Sequence, residues 1–499
     1  MNPVAPMTPI GPLLRRLALL IALLQAVVAQ AELPPALARQ LADAGIPADA
    51  LGLIVAPLGA GAPFIEHGAT RPMQPASTMK LVTTLVGLEQ LGPAWRGTTR
   101  LLAAGPIRDG VLHGDLVLQG GGDMDLGWQD LQAMLQHARN RGLTEVRGAL
   151  VLDRSLYQPT RLDRGAPPFD DEPDAYYNVI PDALLVNGNL MRVDVFVDDK
   201  GLQLRPLVPL AGVRVTHEMT LVDGDCSQWD DGWKPPLVRP PRLGRAMDVM
   251  LRGTWPARCD RTVAFNVIER NDFIARLVRG LWAGMGGRWR GAAREGKAPA
   301  DARLLAEHSS RPLSQLVRAI NKPSDNALTR MLLLAIGQAA PGDAAEPTLQ
   351  RGDRAIRAWM RSKGIDDGGL VLDNGSGLSR SERITAAQLE GLIRAGMNSR
   401  WAPEFVASLP IAGIDGSLRR RFADSPAAGW ARLKTGTLRN VVALAGTLPD
   451  AAGQPLVLVA FINHDALKPR QMRPVIDGLV DWVSRTRFVT APAPAASSP

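Results

Sequence analysis

A serine hydroxyl is a poor nucleophile until something removes its proton. Ser77-Thr78-Met79-Lys80 carries both partners of that reaction. On a helix a spacing of three puts the hydroxyl and the amine on one face, and a lysine becomes the base when burial and neighbouring cations pull its pKa below about 10.4. The chain has eight lysines, and Ser77 with Lys80 is its sole Ser-x-x-Lys pair. Alone, such a pair also reads as a capping serine beside a lysine that snorkels to solvent. Only Lys434 is followed by Thr435-Gly436. In a strand over 431–438 that triplet presents a cation to a substrate carboxylate, while Gly436 lets the substrate backbone come close. A third set, Ser324-Asp325-Asn326, follows Pro323 between two apolar helical stretches. Taken alone it is a helix N-cap. Together the three sets supply a nucleophile, a base, a hydroxyl that relays a proton, an amide and a second amine, which is the inventory of an acyl-transfer site.

The elements that must bring these residues together come from both ends of the chain. Apolar runs predict strands at 51–56 and 62–67 and a helix from Ser77 to about Leu91. From Thr98 to about Glu269 the texture changes to short strands, among them 110–119, 146–153 and the hairpin 191–197 with 202–207, around one helix at 128–141. Beyond Asn271 helix periodicity returns, at 273–285, 312–320, 326–337, 353–363 and 386–397. Strands follow at 430–448 and 455–463, and a last helix lies near 474–485. The expectation is an α+β protein: one antiparallel sheet built from both ends, flanked by helices, with a β-rich segment inserted.

Length and composition fit a folded protein of two or three units. Of its 499 residues 46% are hydrophobic and 21% charged, with a net charge of +8, which excludes a disordered chain and a multi-span membrane protein. The arginines are scattered among acidic residues and read as solvated surface, not a nucleic-acid groove. Residues 1–31 combine Arg15 and Arg16, an apolar run and the small-residue ending Ala29-Gln30-Ala31, the pattern of a cleaved signal peptide. The expected compartment is the periplasm, with at most peripheral membrane contact. There, Cys226 and Cys259, the only cysteines, are able to pair, contributing about 3 kcal/mol; two buried free thiols are the alternative. Gly291 to Lys297 fits phosphate-loop spacing, but Ala298 replaces the hydroxyl residue that would ligate Mg²⁺. The six histidines show no zinc-ligand spacing.

The order Ser-x-x-Lys, Ser-Asp-Asn, Lys-Thr-Gly is that of penicillin-binding proteins and class A β-lactamases. The separation of 247 positions from Ser77 to Ser324 exceeds what a single-domain β-lactamase uses. The chain therefore resembles the class C low-molecular-mass penicillin-binding proteins, the D-alanyl-D-alanine carboxypeptidase/endopeptidases. Further likenesses are Pro75-Ala76-Ser77, Gly114-Asp115-Leu116 leading to Gly120-Gly121-Gly122-Asp123, Asp373-Asn374-Gly375-Ser376-Gly377-Leu378-Ser379-Arg380, and Ala412-Gly413-Ile414-Asp415-Gly416.

The resemblance implies a penicillin-binding, serine β-lactamase-like domain at 32–97 and 291–488. Two nested units would lie between its motifs, at 98–118 with 187–290 and at 119–186, and a disordered tail at 489–499. It implies hydrolysis of D-Ala-D-Ala or cross-link peptide bonds in peptidoglycan stem peptides, with β-lactams as acylating inhibitors and without metal or organic cofactor. Ser77 would attack, Lys80 take its proton, and Ser324 with Lys434 pass a proton to the leaving group. Asn326 would hold the substrate amide, and Thr435 and Thr437 its terminal carboxylate. The N–H groups of Ser77 and Thr437 would form an oxyanion hole worth about 3–4 kcal/mol per donor. Asp171 would face a diaminopimelate side chain, or else be part of a solvated acidic turn. Two other outcomes share the scaffold: a β-lactamase-like hydrolase and a non-catalytic wall-binding protein.

Overall fold

The computed structural model describes residues 33–240 and 246–489. The expected signal peptide lies outside them, as does the expected disordered tail apart from Val489. Strands from the two ends of the chain meet in one antiparallel sheet. Leu51–Pro57 pairs with Pro455–Asn463, Leu51 facing Ile462. The order across the sheet is Arg432–Leu438, Val441–Pro449, Pro455–Asn463, Leu51–Pro57 and Ile65–His67. The central strands are continuous apolar runs because both faces are covered. On one side lie the helices Lys80–Leu91, Asn326–Ala339 and Ala386–Met397. On the other lie Pro35–Asp43 and Pro469–Arg485.

Two details differ from the sequence expectation and bear on the site. The segment 430–448 is two strands joined at Arg439-Asn440, which leaves Arg432–Leu438 as an edge strand whose outer side meets Ile411 at Arg432 and has no strand partner beyond it among the described residues. The helix expected from Ser77 begins as a 3₁₀ turn, Ala76–Met79, and becomes α-helical at Lys80.

Four further sheets are built by the intervening chain. Its root is the strand Thr98–Ala104, which pairs with Asp115–Gly121 on one side and Arg303–Ser309 on the other. The expected unit boundaries at 118/119 and 290/291 need correction. The first cuts through the strand Asp115–Gly121, whose parallel partner is Leu150–Asp153. The second leaves out Ala293–Glu295 and Arg303–Ser309, both strands of that same sheet. Parallel and long-range pairing leaves no local periodicity to read, so a boundary drawn from texture misses it. We place the insertion at 98–309. Its core gathers Phe265, Phe273, Leu277 and the buried Trp255 and Trp282, and Cys226 and Cys259 are joined in a disulfide across it.

Candidate active site

Three elements converge at the open edge of the sheet. Ser77 sits in the 3₁₀ turn ahead of the helix Lys80–Leu91, Ser324 in the loop before Asn326–Ala339, and Lys434 in the edge strand. The turn is tied to the sheet through Gln74. Its N–H donates to Asn463 Oδ1 at 2.8 Å, and Asn463 Nδ2 donates back to the Gln74 carbonyl at 3.1 Å. Gly436 is where strand and turn touch. A Cβ there would stand 2.7 Å from the Pro75 carbonyl and 3.0 Å from Ala76 Cβ, so the first role of Gly436 is to admit the nucleophile's own backbone. Two non-glycine residues beside the motifs adopt left-handed backbone, Ala76 at φ 45° and Ser324 at φ 68°. Such geometry costs on the order of 1–3 kcal/mol each and persists where the surroundings hold it.

Lys80 is fully buried, and its amine makes three contacts: 3.1 Å to Ser77 Oγ, 2.7 Å to Asn326 Oδ1 and 2.5 Å to the Ser376 carbonyl. Burial, helped by the Arg330 charge, lowers its pKa to about 7 against the opposing pull of Asp325 and Glu382. A neutral amine has two hydrogens and one lone pair. The two carbonyl oxygens can accept hydrogens only, so the lone pair is left for the hydroxyl proton of Ser77. Lys434 is equally buried and donates to Ser324 Oγ at 2.8 Å and to the Thr435 carbonyl at 2.8 Å. Burial and the neighbouring Lys80 charge hold its pKa well below the ordinary lysine value.

Three contributors were not singled out as site residues from the sequence. Ser376 and Tyr177 act through main-chain carbonyls, the first on Lys80 and the second accepting from Asn326 Nδ2 at 3.0 Å. Any residue type offers a carbonyl, so residue type does not reveal the role; only the 373–380 likeness pointed to the stretch that holds Ser376. Glu382 is fully buried and accepts the N–H groups of Asp373, Asn374, Gly375 and Gly377 at 2.6–3.2 Å, which fixes the loop that presents the Ser376 carbonyl. A carboxylate among closely spaced glycines just after a glycine-rich motif was the clue available. Gly377 is forced there, since a Cβ would lie 1.8 Å from the Ala76 carbonyl. Burial raises the pKa of Glu382.

The expected site residues divide into two groups. Ser77, Lys80 and Asn326 form one hydrogen-bonded set and Ser324 with Lys434 a second, close enough for the Lys80 charge to act on Lys434. Thr435 lies on the same strand with its hydroxyl 2.7 Å from Ser417 Oγ, a partner that sequence reading did not find, and Thr437 is exposed on the free edge. Both ends of the Asn326 amide are engaged by protein groups, so its immediate effect is to position Lys80. Asp171 stands apart, exposed and without a hydrogen-bond partner among the described residues. Its neighbour Asp170 holds the turn, accepting from Tyr177 Oη at 2.9 Å and Asn178 Nδ2 at 2.8 Å. The Phe169 carbonyl accepts from Arg380 at 2.9 Å, which joins this turn to the loop that carries Ser376. Among the described residues no group of three or more His, Cys, Asp or Glu side chains could hold a metal ion.

Residues 33–485 match the D-Ala-D-Ala carboxypeptidase 3 (S13) family. The chain belongs to that family. A D-alanyl-D-alanine carboxypeptidase of Actinomadura sp. (strain R39) is 29% identical over 454 residues, covering 87% of this chain and 82% of the relative. The D-alanyl-D-alanine carboxypeptidase DacB of Haemophilus influenzae is 25% identical over 402 residues, covering 80% and 82%. The crystal structure of penicillin binding protein 4 (dacB) from Haemophilus influenzae shares the fold. It has a TM-score of 0.71 at 22% identity and covers 87% of this chain and 96% of that one. As an S13 member, the chain carries a serine-type peptidase scaffold over nearly its whole length.

Proposed function

We propose that the protein is an exported serine DD-peptidase that cleaves D-alanyl-D-alanine or cross-link peptide bonds of peptidoglycan stem peptides and is acylated by β-lactams. The observation that carries this reading is the hydrogen count at Lys80. In the neutral amine the two N–H bonds serve Asn326 Oδ1 at 2.7 Å and the Ser376 carbonyl at 2.5 Å, which leaves the lone pair for the hydroxyl of Ser77, 3.1 Å away.

Lys80 then takes the Ser77 proton as the oxygen attacks the D-alanyl carbonyl. The developing oxyanion is received by the N–H groups of Ser77 and of Thr437 on the open strand edge, each worth about 3–4 kcal/mol. The proton taken by Lys80 is relayed to the departing amine through the Ser324 hydroxyl, held by Lys434, which gives one proton as it takes another; Lys80 is thereby neutral again, and water releases the acyl group. Thr435 and Thr437 take the terminal carboxylate. Asp171, exposed and unpartnered, is free to meet a basic side chain of the stem peptide. Action in the periplasm is supported by the charge and apolar pattern of residues 1–31 and by the disulfide. No helix among the described residues is long and apolar enough to cross a membrane.

Mass spectrometry after incubation with a penicillin tests the assignment. The expected result is a single adduct on the peptide that contains Ser77. An unmodified protein, or an adduct elsewhere, refutes it.

A further inference from the structure

Beside the cleft lies a groove that the peptidase chemistry does not use. Two cavities of about 520 and 150 Å³ share Tyr176, Trp229, Val263 and Ala264 in their linings, so they lie side by side along the strand Arg261–Phe265. The larger ends at Asp325, Ala327 and Leu328, which flank Asn326. The smaller ends among Trp233, Pro235 and Phe265.

Its walls are aromatic. Tyr176 is 61% exposed, an unusual state for so large a ring, with its neighbour Tyr177 edge-on at 5.6 Å. Trp229 is backed by Trp233 at 5.3 Å and by the buried Trp255 at 5.6 Å. The polar groups around these rings are of opposite character at the two ends. Near the cleft, the guanidiniums of Arg192 and Arg261 have no hydrogen-bond or ion-pair partner among the described residues, and Arg261 lies 5.3 Å from the Trp229 ring. The carboxylates there are already engaged, Asp125 with Arg311 and Asp325 with the Leu328 N–H. At the far end the carboxylates of Asp174 and Asp230 have no hydrogen-bond or ion-pair partner among the described residues, and Glu172 accepts from Tyr177 Oη at 3.4 Å.

We propose that this groove binds the saccharide of the peptidoglycan strand, one sugar ring stacking on Tyr176 and Trp229 while the attached stem peptide enters the cleft. The proposal rests on the peptidase reading above. A pyranose has a C–H face that suits an aromatic ring, and its hydroxyls both donate and accept. It therefore satisfies donors at one end of the groove and acceptors at the other, where an anion or a cation would satisfy only one end. The concave, mostly apolar lining with a few convergent polar groups is the usual form of a small-molecule site. The groove comes within one residue of the cleft in the chain, at Asp325 and Ala327 on either side of Asn326, and saccharide and stem peptide are one covalent substrate.

Two measurements test this on the full mature chain. The first titrates an N-acetylglucosamine tetrasaccharide into the Ser77→Ala protein, followed by tryptophan fluorescence. Saturable binding is expected, weakened about tenfold by adding Tyr176→Ala or Trp229→Ala. The second compares kcat/KM for a disaccharide-pentapeptide with that for the free pentapeptide. The expected ratio is about ten in the parent and close to one in either variant. Trp229 packs on the insertion core, so the exposed Tyr176 supplies the variant that keeps its fold. Equal ratios in parent and variants, with no tetrasaccharide binding, overturn the proposal. A loss in the variants that follows a free side-chain amine on the peptide instead of the sugar also overturns it, and makes the groove a site for organic cations. Tetrasaccharide binding that depends on Tyr176, in a protein that cleaves neither substrate, upholds the groove and refutes the peptidase reading instead.

Discussion

The cleft and the insertion both bury cations, in opposite ways. In the insertion, Arg154 and Arg270 converge on Asp182 at 2.8 and 2.6 Å, with all three side chains at most 7% exposed. Nearby, Arg161 bonds Asp163 and Glu295 at 2.8 and 2.5 Å. Hydrogen bonding to Asp163 raises the Arg161 pKa, so it stays charged. In the cleft, neither Lys80 nor Lys434 has a carboxylate within hydrogen-bond distance; their partners are carbonyl and hydroxyl oxygens. Paired burial keeps an ion and fixes structure. Burial against neutral acceptors favours the neutral amine, which is what a proton acceptor must be.

Breaking each side of this contrast should give separable results. The largest effect is expected for Lys80→Met. It fills the same space without a base, and penicillin acylation should slow roughly 10³–10⁴-fold while the melting temperature holds or rises, as read by stopped-flow acylation and a thermal melt. Asp182→Ala should do the reverse. Leaving Arg154 and Arg270 buried without their carboxylate costs about 3–5 kcal/mol of stability, while the folded fraction acylates at about the parental rate. Denaturant unfolding and active-site titration separate the two quantities. Glu382→Gln lies between them. An amide N–H facing backbone donors costs about 1–3 kcal/mol, and acylation slows because the loop bearing the Ser376 carbonyl shifts. The smallest change is expected from Ser417→Ala, which takes away the hydroxyl partner of Thr435. KM for a D-Ala-D-Ala peptide should rise by roughly the equivalent of 1 kcal/mol with kcat little altered.

The same contrast explains what was legible in the sequence. Side chains able to do chemistry are readable by type and spacing, so Ser77, Lys80, Ser324, Asn326 and Lys434 could be singled out from the sequence; in the structure Lys80 lies against Ser77 and Asn326, and Lys434 against Ser324. Groups that act through the backbone do not show their role in their residue type, which hid Tyr177 and left Ser376 as one member of the 373–380 likeness with no role of its own. The sheet fed from both ends was readable because its strands are long apolar runs such as Pro455–Asn463. In the insertion, strands of two to four residues, such as Glu145–Val146 and Leu150–Asp153, are too short to show a period. Their pairing with Arg288–Trp289 and Ala293–Glu295 is set by tertiary packing, so the internal boundaries drawn from texture fell in the wrong places.

The claim on which the account turns is that Lys80 works as an uncharged base. It is tested by the pseudo-first-order rate at which a penicillin acylates Ser77, measured from about pH 5 to pH 10. Below its pKa Lys80 is protonated and has no lone pair to accept the hydroxyl proton; above it the lone pair is free. The rate should therefore climb with rising pH through a midpoint near 7, and the climb should vanish in Lys80→Met. A rate that is flat or falls through that range in the parent protein would contradict the account.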